Sequence, residues 1–171
     1  MSEKIKIYFA SPLFSEMELM YNTYLVNKLR DKLGNIADIY LPQENESIND
    51  KSAYADSIMI ANADTEKLVE SDLVVAILDG ATIDVGVASE IGVAYAKGIP
   101  VVALYSDTRQ GAYGNEEKVE ALDEIAESQF SYINLYTVGL VKSCGVIVDG
   151  SEELIQTVDK EVRLMMEENG E

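Results

Sequence analysis

Leu73-Val74-Val75-Ala76-Ile77-Leu78 runs without a polar residue. A strand with one wet face would alternate apolar with polar side chains. This run has no polar face, so it reads as a central parallel strand covered by helices on both sides. On its carboxyl side lie a loop and then residues 86–97, which read as a short helix closed by Gly98. The strand Ile99-Pro100-Val101-Val102-Ala103-Leu104-Tyr105 follows. On its amino side, a polar loop through Asn49 leads into a helix over roughly residues 52–69. Farther out, Ile5-Lys6-Ile7-Tyr8-Phe9-Ala10 reads as a strand ended by Ser11-Pro12, and residues 37–41 as another stopped by Pro42. Between these two, Met17, Tyr21, Leu25, Leu29 and Leu33 recur every four positions, and Gly34 stands where a helix cap belongs. Towards the other end, residues 116–127 have helical composition and residues 144–148 read as a last strand. Asp149-Gly150-Ser151 then opens an amphipathic helix with Leu154, Val158, Val162 and Met165 on one face.

Five strands alternating with helices, with no linker or repeat, predict a single α/β domain over residues 1–171. Its architecture is a three-layer αβα sandwich on a five-stranded, mostly parallel sheet, doubly wound in the flavodoxin-like or Rossmann-like manner and right-handed. Such sheets bind ligands beyond the carboxyl ends of their strands. The loops after Phe9, Leu41, Leu78 and Tyr105 are therefore the places to search.

Composition narrows the chemistry those loops can host. The chain has 13 Lys and Arg, 31 Asp and Glu, no histidine and a formal charge of −18. Ser-His-Asp and Cys-His catalytic units and His-ligated metal or haem sites are excluded, and no metal or cofactor is expected. The charge opposes nucleic acid and anionic membranes as partners. The longest uncharged stretch, residues 128–141, is too short and too polar to span a bilayer. Met1-Ser2-Glu3-Lys4 leads at once into strand-like sequence, so no secretory signal is expected, and the lone Cys144, read as a small buried thiol, suits a reducing, cytoplasmic setting.

The first loop, Ala10-Ser11-Pro12-Leu13-Phe14-Ser15, has no glycine, so it is neither a dinucleotide fingerprint nor a Walker loop. Richer chemistry lies in Asp79-Gly80-Ala81-Thr82-Ile83-Asp84-Val85-Gly86-Val87-Ala88-Ser89-Glu90-Ile91-Gly92. Glu90 falls one turn into a helix whose other residues are almost all apolar or small, an environment in which a glutamate needs a reason. Asp84 is either a helix N-cap or a site acid, and Asp64 alone would pass as surface charge. With imidazole absent, several carboxylates near one cleft suggest one as nucleophile and another as proton donor.

Asp84-Val85-Gly86-Val87-Ala88-Ser89-Glu90-Ile91-Gly92 resembles the Asp-x-Gly-x-x-x-Glu-x-Gly motif of the nucleoside 2-deoxyribosyltransferases. Ile7-Tyr8-Phe9-Ala10-Ser11-Pro12-Leu13-Phe14 is similar to that family's first strand and loop. Ser106-Asp107-Thr108-Arg109 and Asn134-Leu135-Tyr136 resemble its later landmarks, so the likeness runs from about residue 5 to about residue 150. The resemblance implies that Glu90 attacks the anomeric carbon of a 2′-deoxyribonucleoside to form a deoxyribosyl ester that a second nucleobase opens. It further implies that Asp64 protonates or orients the leaving base, that Asp84 holds sugar hydroxyls or the base, and that Tyr8 hydrogen-bonds Glu90. Leu13, Phe14 and Met59 are candidates for an apolar cover that keeps water from the ester. Glu46, in Asn45-Glu46, stands where many members have a glutamine that reads the base. The asparagine equivalent to Asn134 enters the site from a neighbouring subunit in the family, which implies a homo-oligomer with shared sites, and the Tyr-rich run 130–136 suits an interface.

Three other readings stand beside this one. A related hydrolase of 2′-deoxyribonucleoside 5′-monophosphates would need phosphate-binding groups in the first loop; Ser11 and Ser15 are there, but no arginine is, and Asn134 stands where those hydrolases carry serine. A phosphoacceptor signalling module would place its aspartate at Asp79, yet this chain has Ala10-Ser11 where such a module needs acids for Mg²⁺. A ligand-binding domain without catalysis is the third.

Overall fold

Strand β1 (Ile5–Ala10) is followed by helix α1 (Glu16–Leu33), β2 (Ala37–Tyr40), the short α2 (Glu46–Asn49), α3 (Ser57–Val69) and β3 (Leu73–Ile77). The chain continues through α4 (Val85–Lys97), β4 (Val101–Leu104), α5 (Glu116–Glu120), α6 (Leu135–Cys144), β5 (Gly145–Val148) and α7 (Ser151–Glu168). This computed structural model describes residues 4–49 and 54–170. The strands form one sheet in the order β2-β1-β3-β4-β5, every neighbouring pair parallel. The expected doubly wound α/β architecture is thus what the chain adopts, with its topological switch between β1 and β3.

Period-two alternation along the strands divides the core. Ile5, Ile7 and Phe9 of β1 join Leu73, Val75 and Ile77 of β3 on the face packed against α1 and α7, through Leu25, Leu29, Leu154 and Val158. Tyr8, Ala10, Val74 and Ala76 point the other way, where Leu68 of α3, Val87, Ile91 and Ala94 of α4, and Val141 of α6 cover them. On this second face Ala10, Ala76 and Ala103 are register neighbours across three strands. Such small side chains let a covering helix approach the sheet closely near its carboxyl ends. Gly34 and Gly98, at φ of 57° and 71°, close α1 and α4 in conformations that favour glycine.

Several boundaries differ from the sequence reading. The helix expected from residue 52 begins at Ser57, because Asp56 accepts a cap hydrogen bond from Met59 N at 2.8 Å; residues 52 and 53 lie outside the described residues. The polar loop before it contains α2. Residues 116–127 form only α5 and a 3₁₀ turn at Ala121–Asp123, since Val119, Leu122 and Ile125 remain exposed and no apolar stripe is buried to carry a longer helix. Helix α6 was not expected: Thr137, Val138, Val141 and Gly139 are weak helix formers, and packing against α4 and β5 overrides them. Cys144 ends α6 instead of opening the last strand, and it is half-buried. In α1 the buried residues are Asn22, Leu25, Val26, Leu29 and Leu33, while Met17 is exposed. A strict spacing of four drifts by roughly 40° per step and carries Met17 to the far side of the helix from Leu33. Among the described residues no helix is long and apolar enough to cross a membrane.

Candidate active site

The carboxyl ends of β1, β2 and β3 bring together side chains from β1, β2, α3 and α4. Tyr8, fully buried on β1, donates its hydroxyl proton to Glu90 Oε1 of α4 at 2.6 Å. Glu90 lies on the flank of α4's buried stripe, beside Val87, Ile91 and Ala94. That helix is buried on one side only, with Val85 and Tyr95 exposed, and not on most of its surface as its composition suggests. Asp64 of α3 is half-buried, and its charge is felt by Glu90, Tyr8 and Tyr40.

Burial raises the Glu90 carboxyl from its usual range to about 7; the Tyr8 hydrogen bond opposes the rise, and the charges of Asp64 and Asp84 add to it. Glu90 is past the first turn of α4, where the helix N-terminus no longer favours the ionised form enough to outweigh burial. Burial likewise raises Asp64. Burial therefore raises both acids, and the charge of Asp64 adds to the rise at Glu90.

Asp84 realises the cap reading. Its Oδ1 accepts from Gly86 N at 2.9 Å and Val87 N at 3.1 Å and starts α4. Its charge reaches Glu90 as well, so the two readings of Asp84 are compatible. Asp84→Ala should cost about 0.5–2 kcal/mol of stability through the lost cap, while Asp84→Asn should keep most of it. Urea unfolding of the two variants checks this.

The first loop is rigidly held although it contains no glycine. Ser15 and Glu18 form a reciprocal cap, with Glu18 Oε2 accepting from Ser15 N at 2.7 Å and from Phe14 N at 2.9 Å. Asn22, almost completely buried, donates to the Pro12 carbonyl at 2.8 Å and to Gln43 Oε1 at 3.0 Å. Gln43 in turn donates to Leu19 O and Thr23 Oγ1, which ties the loops after β1 and β2 to α1. Phe14 thus has a fixed backbone and an exposed ring, and Met59 is exposed as well. Ser11 is 7% exposed, and its hydroxyl has no hydrogen-bond partner among the described residues. An open cleft of about 260 Å³ lies between the loops after β1 and β3, lined by Pro12, Glu18, Asp79, Thr82, Ile83 and Asp84 among others.

Other sequence candidates lie apart from this cluster. Glu46 begins α2 in an exposed position, and no hydrogen bond links it to Tyr8, Asp64, Asp84 or Glu90. Asn134 caps α6, its Oδ1 accepting from Thr137 N at 3.0 Å, and its neighbours Tyr132, Leu135 and Tyr136 are exposed. Asp79 holds Ser106 through both oxygens at 2.7 Å and so clamps the loops after β3 and β4, a structural use of the residue that a phosphoacceptor would need. Arg109 is paired with Asp107 at 2.6 Å. Among the described residues no group of three or more Cys, Asp or Glu is arranged to hold a metal ion.

Sequence reasoning missed Tyr40 and Asn22. Tyr40 stacks on Tyr8 with ring centroids 5.6 Å apart. Tyr40 is the last residue of β2, and aligning 5–8 with 37–40 in parallel register would have placed it beside Tyr8. Asn22 is a polar residue on the same helical stripe as Leu25, Val26 and Leu29, which is the pattern of a buried, hydrogen-bonded amide.

A parallel sheet of order 2-1-3-4-5, with a tyrosine-held carboxylate and further acids at its switch point, defines an α/β protein equipped for carboxylate chemistry without imidazole. The family model for nucleoside 2-deoxyribosyltransferase matches residues 7–154, and the chain belongs to that family. Among solved structures, a conserved protein from Enterococcus faecalis V583 is 62% identical, with a TM-score of 0.88 over 93% of this chain and 99% of that one. The 2-deoxyribosyltransferase of Leishmania mexicana is 20% identical, with a TM-score of 0.61 over 91% of this chain and 97% of that one. That of the psychrotolerant bacterium Bacillus psychrosaccharolyticus is also 20% identical, with a TM-score of 0.57 over 88% and 90% of the two chains. At that identity the likeness of these last two is one of fold. No curated protein matches the sequence.

Proposed function

We propose that this chain is a nucleoside 2-deoxyribosyltransferase that exchanges the nucleobase of 2′-deoxyribonucleosides by double displacement through Glu90. The observation that carries the reading is the buried Tyr8 hydroxyl donating to Glu90 Oε1 at 2.6 Å, within reach of the charges of Asp64 and Asp84. A Glu90 oxygen forms a bond to C1′ as the C1′–N bond breaks; the bonding pair goes to the base, whose nitrogen takes a proton from Asp64. The acceptor base then attacks C1′ as the C1′–O bond breaks and frees the Glu90 carboxylate, while the Asp64 carboxylate takes back the proton that the attacking nitrogen loses. Two inversions retain configuration, and the kinetics are ping-pong.

The reacting form has Asp64 protonated and Glu90 ionised. The Tyr8 hydroxyl favours that form, because a hydrogen bond donated to a carboxylate stabilises its ionised state. In this reading Ser11, whose hydroxyl has no partner among the described residues, and Asp84 bind sugar hydroxyls, Phe14 and Met59 supply apolar cover, and Glu46 reads the base. Asn134 completes the site of a neighbouring subunit through its amide nitrogen, since its oxygen caps α6. The exposed Tyr132, Leu135 and Tyr136 give that homo-oligomer an apolar contact. The whole chain acts as one domain, without cofactor, in nucleoside salvage in the cytoplasm, a setting that fits a single, unpaired cysteine.

The substrate is the uncharged nucleoside. The cleft beyond β1 and β3 is lined by Glu18, Asp79 and Asp84 and by no basic residue, and Arg109 is already paired with Asp107. Incubating the protein with 2′-deoxyinosine and adenine should yield 2′-deoxyadenosine by chromatography. Free deoxyribose as the sole product, or turnover only of a 5′-monophosphate donor, would replace transfer by hydrolysis.

A further inference from the structure

Tyr8 can serve Glu90 only if its ring is held in one orientation, and the aromatic ring stacked on it belongs to the neighbouring strand. Tyr8 and Tyr40 are direct partners in the parallel register of β1 and β2. Their rings stack at 5.6 Å with planes 30° apart, an offset geometry that favours aromatic pairs. Tyr40 is itself anchored, because its hydroxyl oxygen accepts from Asn45 Nδ2 at 3.0 Å. The turn that carries Asn45 is closed by Glu44 N donating to Leu41 O and Asn45 N donating to Pro42 O. We propose that Tyr40 is a positioning residue, whose ring, stacked on Tyr8 and anchored by Asn45, holds the Tyr8 hydroxyl on Glu90.

The inference takes Glu90 as the nucleophile and so rests on the reading above, but the contact it concerns exists in the ligand-free protein and can be followed without turnover. The groups that face Glu90 are Tyr8 from β1, Tyr40 from β2, Asp64 from α3 and Asp84 from its own helix, and Lys67 of α3 faces Tyr40. Of these, Tyr8 alone donates a hydrogen bond to the carboxylate. If the ring of Tyr40 acts on Glu90 only through Tyr8, removing it must weaken the Tyr8–Glu90 bond and have no further effect on Glu90 once Tyr8's hydroxyl is gone.

The test is a double-mutant cycle read by NMR titration of ¹³C-labelled glutamate carboxyls, with Tyr8→Phe, Tyr40→Leu and the double variant, followed by kcat and KM for exchange. Tyr8→Phe should raise the Glu90 midpoint by about one pH unit or more. Tyr40→Leu should raise it in the same direction by a smaller amount and lower kcat about threefold to tenfold, with KM for the donor nucleoside little changed. In the double variant the midpoint should stay where Tyr8→Phe alone puts it. Tyr40→Phe keeps the stacked ring but loses the Asn45 anchor, so its midpoint should lie between those of the wild type and Tyr40→Leu. Additive shifts in the double variant, or a Tyr40→Leu midpoint equal to the wild type, would overturn the proposal. If Tyr40→Leu does not fold, Tyr40→Met takes its place in the cycle. A protein that shows no exchange at all fails the functional reading alone, because the carboxyl titration stands independently of it.

Discussion

Replacing Glu90 by glutamine is expected to lower nucleobase exchange by about 10⁴-fold or more while making the folded protein more stable above neutral pH. The loss of activity follows from the proposed covalent step: an amide is a far poorer nucleophile than a carboxylate, and no histidine exists in the chain to substitute for it. The gain in stability follows from burial. The folded Glu90 carboxyl titrates at about 7 against 4.5 for an unperturbed one. Between those values the folded protein keeps a proton that the unfolded chain has lost. This group's contribution is therefore fully present below about pH 4.5 and is lost as the pH rises through about 7, and glutamine carries no such dependence.

By pH 8 the difference approaches an upper bound of about 3 kcal/mol, of which part is recovered by relaxation around the ionised group. Urea unfolding of wild type and Glu90→Gln should show a narrow gap at pH 5 that widens, in favour of the variant, by pH 8. A gap independent of pH would mean that Glu90 is not held in the desolvated position described, and retained exchange would remove it as nucleophile. A residue that weakens the fold at the working pH is the pattern expected of a group held for chemistry and not for packing.

What could be read in advance, and what could not, divides along physical lines. Leu73 to Leu78 announced a strand buried on both faces, and every one of those residues is buried. Glu90 stood out because an acid in an apolar helix has few ordinary uses, and Tyr8 does hydrogen-bond it. Asp64 was no different from its acidic neighbours in local sequence, because its place beside Glu90 depends on how α3 and α4 pack against one another. The same holds for Tyr40: a tyrosine at a strand end is unremarkable until register sets it against Tyr8. Helix α6 escaped because its residues have weak intrinsic helix preference, so only its packing makes it helical. Local patterns carried the elements and the one anomalous acid, whereas everything decided by register or helix packing had to be seen.

Asp64→Asn is expected to slow exchange with natural nucleosides by about 100-fold to 10,000-fold, the usual span for removing a general acid. Asp64 is half-buried, and burial raises its carboxyl, so it keeps a proton to higher pH than an exposed aspartate. The C1′–N bond of a purine nucleoside breaks with its electron pair left on a poor leaving group, and protonation of the base makes that departure easier. Asparagine preserves the shape and some hydrogen bonding but has no acidic proton to give. A 2-deoxyribosyl donor with a leaving group that needs no proton, such as fluoride or 4-nitrophenolate, bypasses that requirement. Formation of the Glu90 ester from such a donor should therefore be nearly as fast in Asp64→Asn as in the wild type, whereas Glu90→Gln should fail with both kinds of donor. Equal slowing with activated and natural donors would show that Asp64 acts on Glu90's charge or on binding, and would move the proton donor elsewhere in the cluster. The same comparison separates the two acids by their proposed roles: a nucleophile is needed whatever leaves, a proton donor only when what leaves must be protonated.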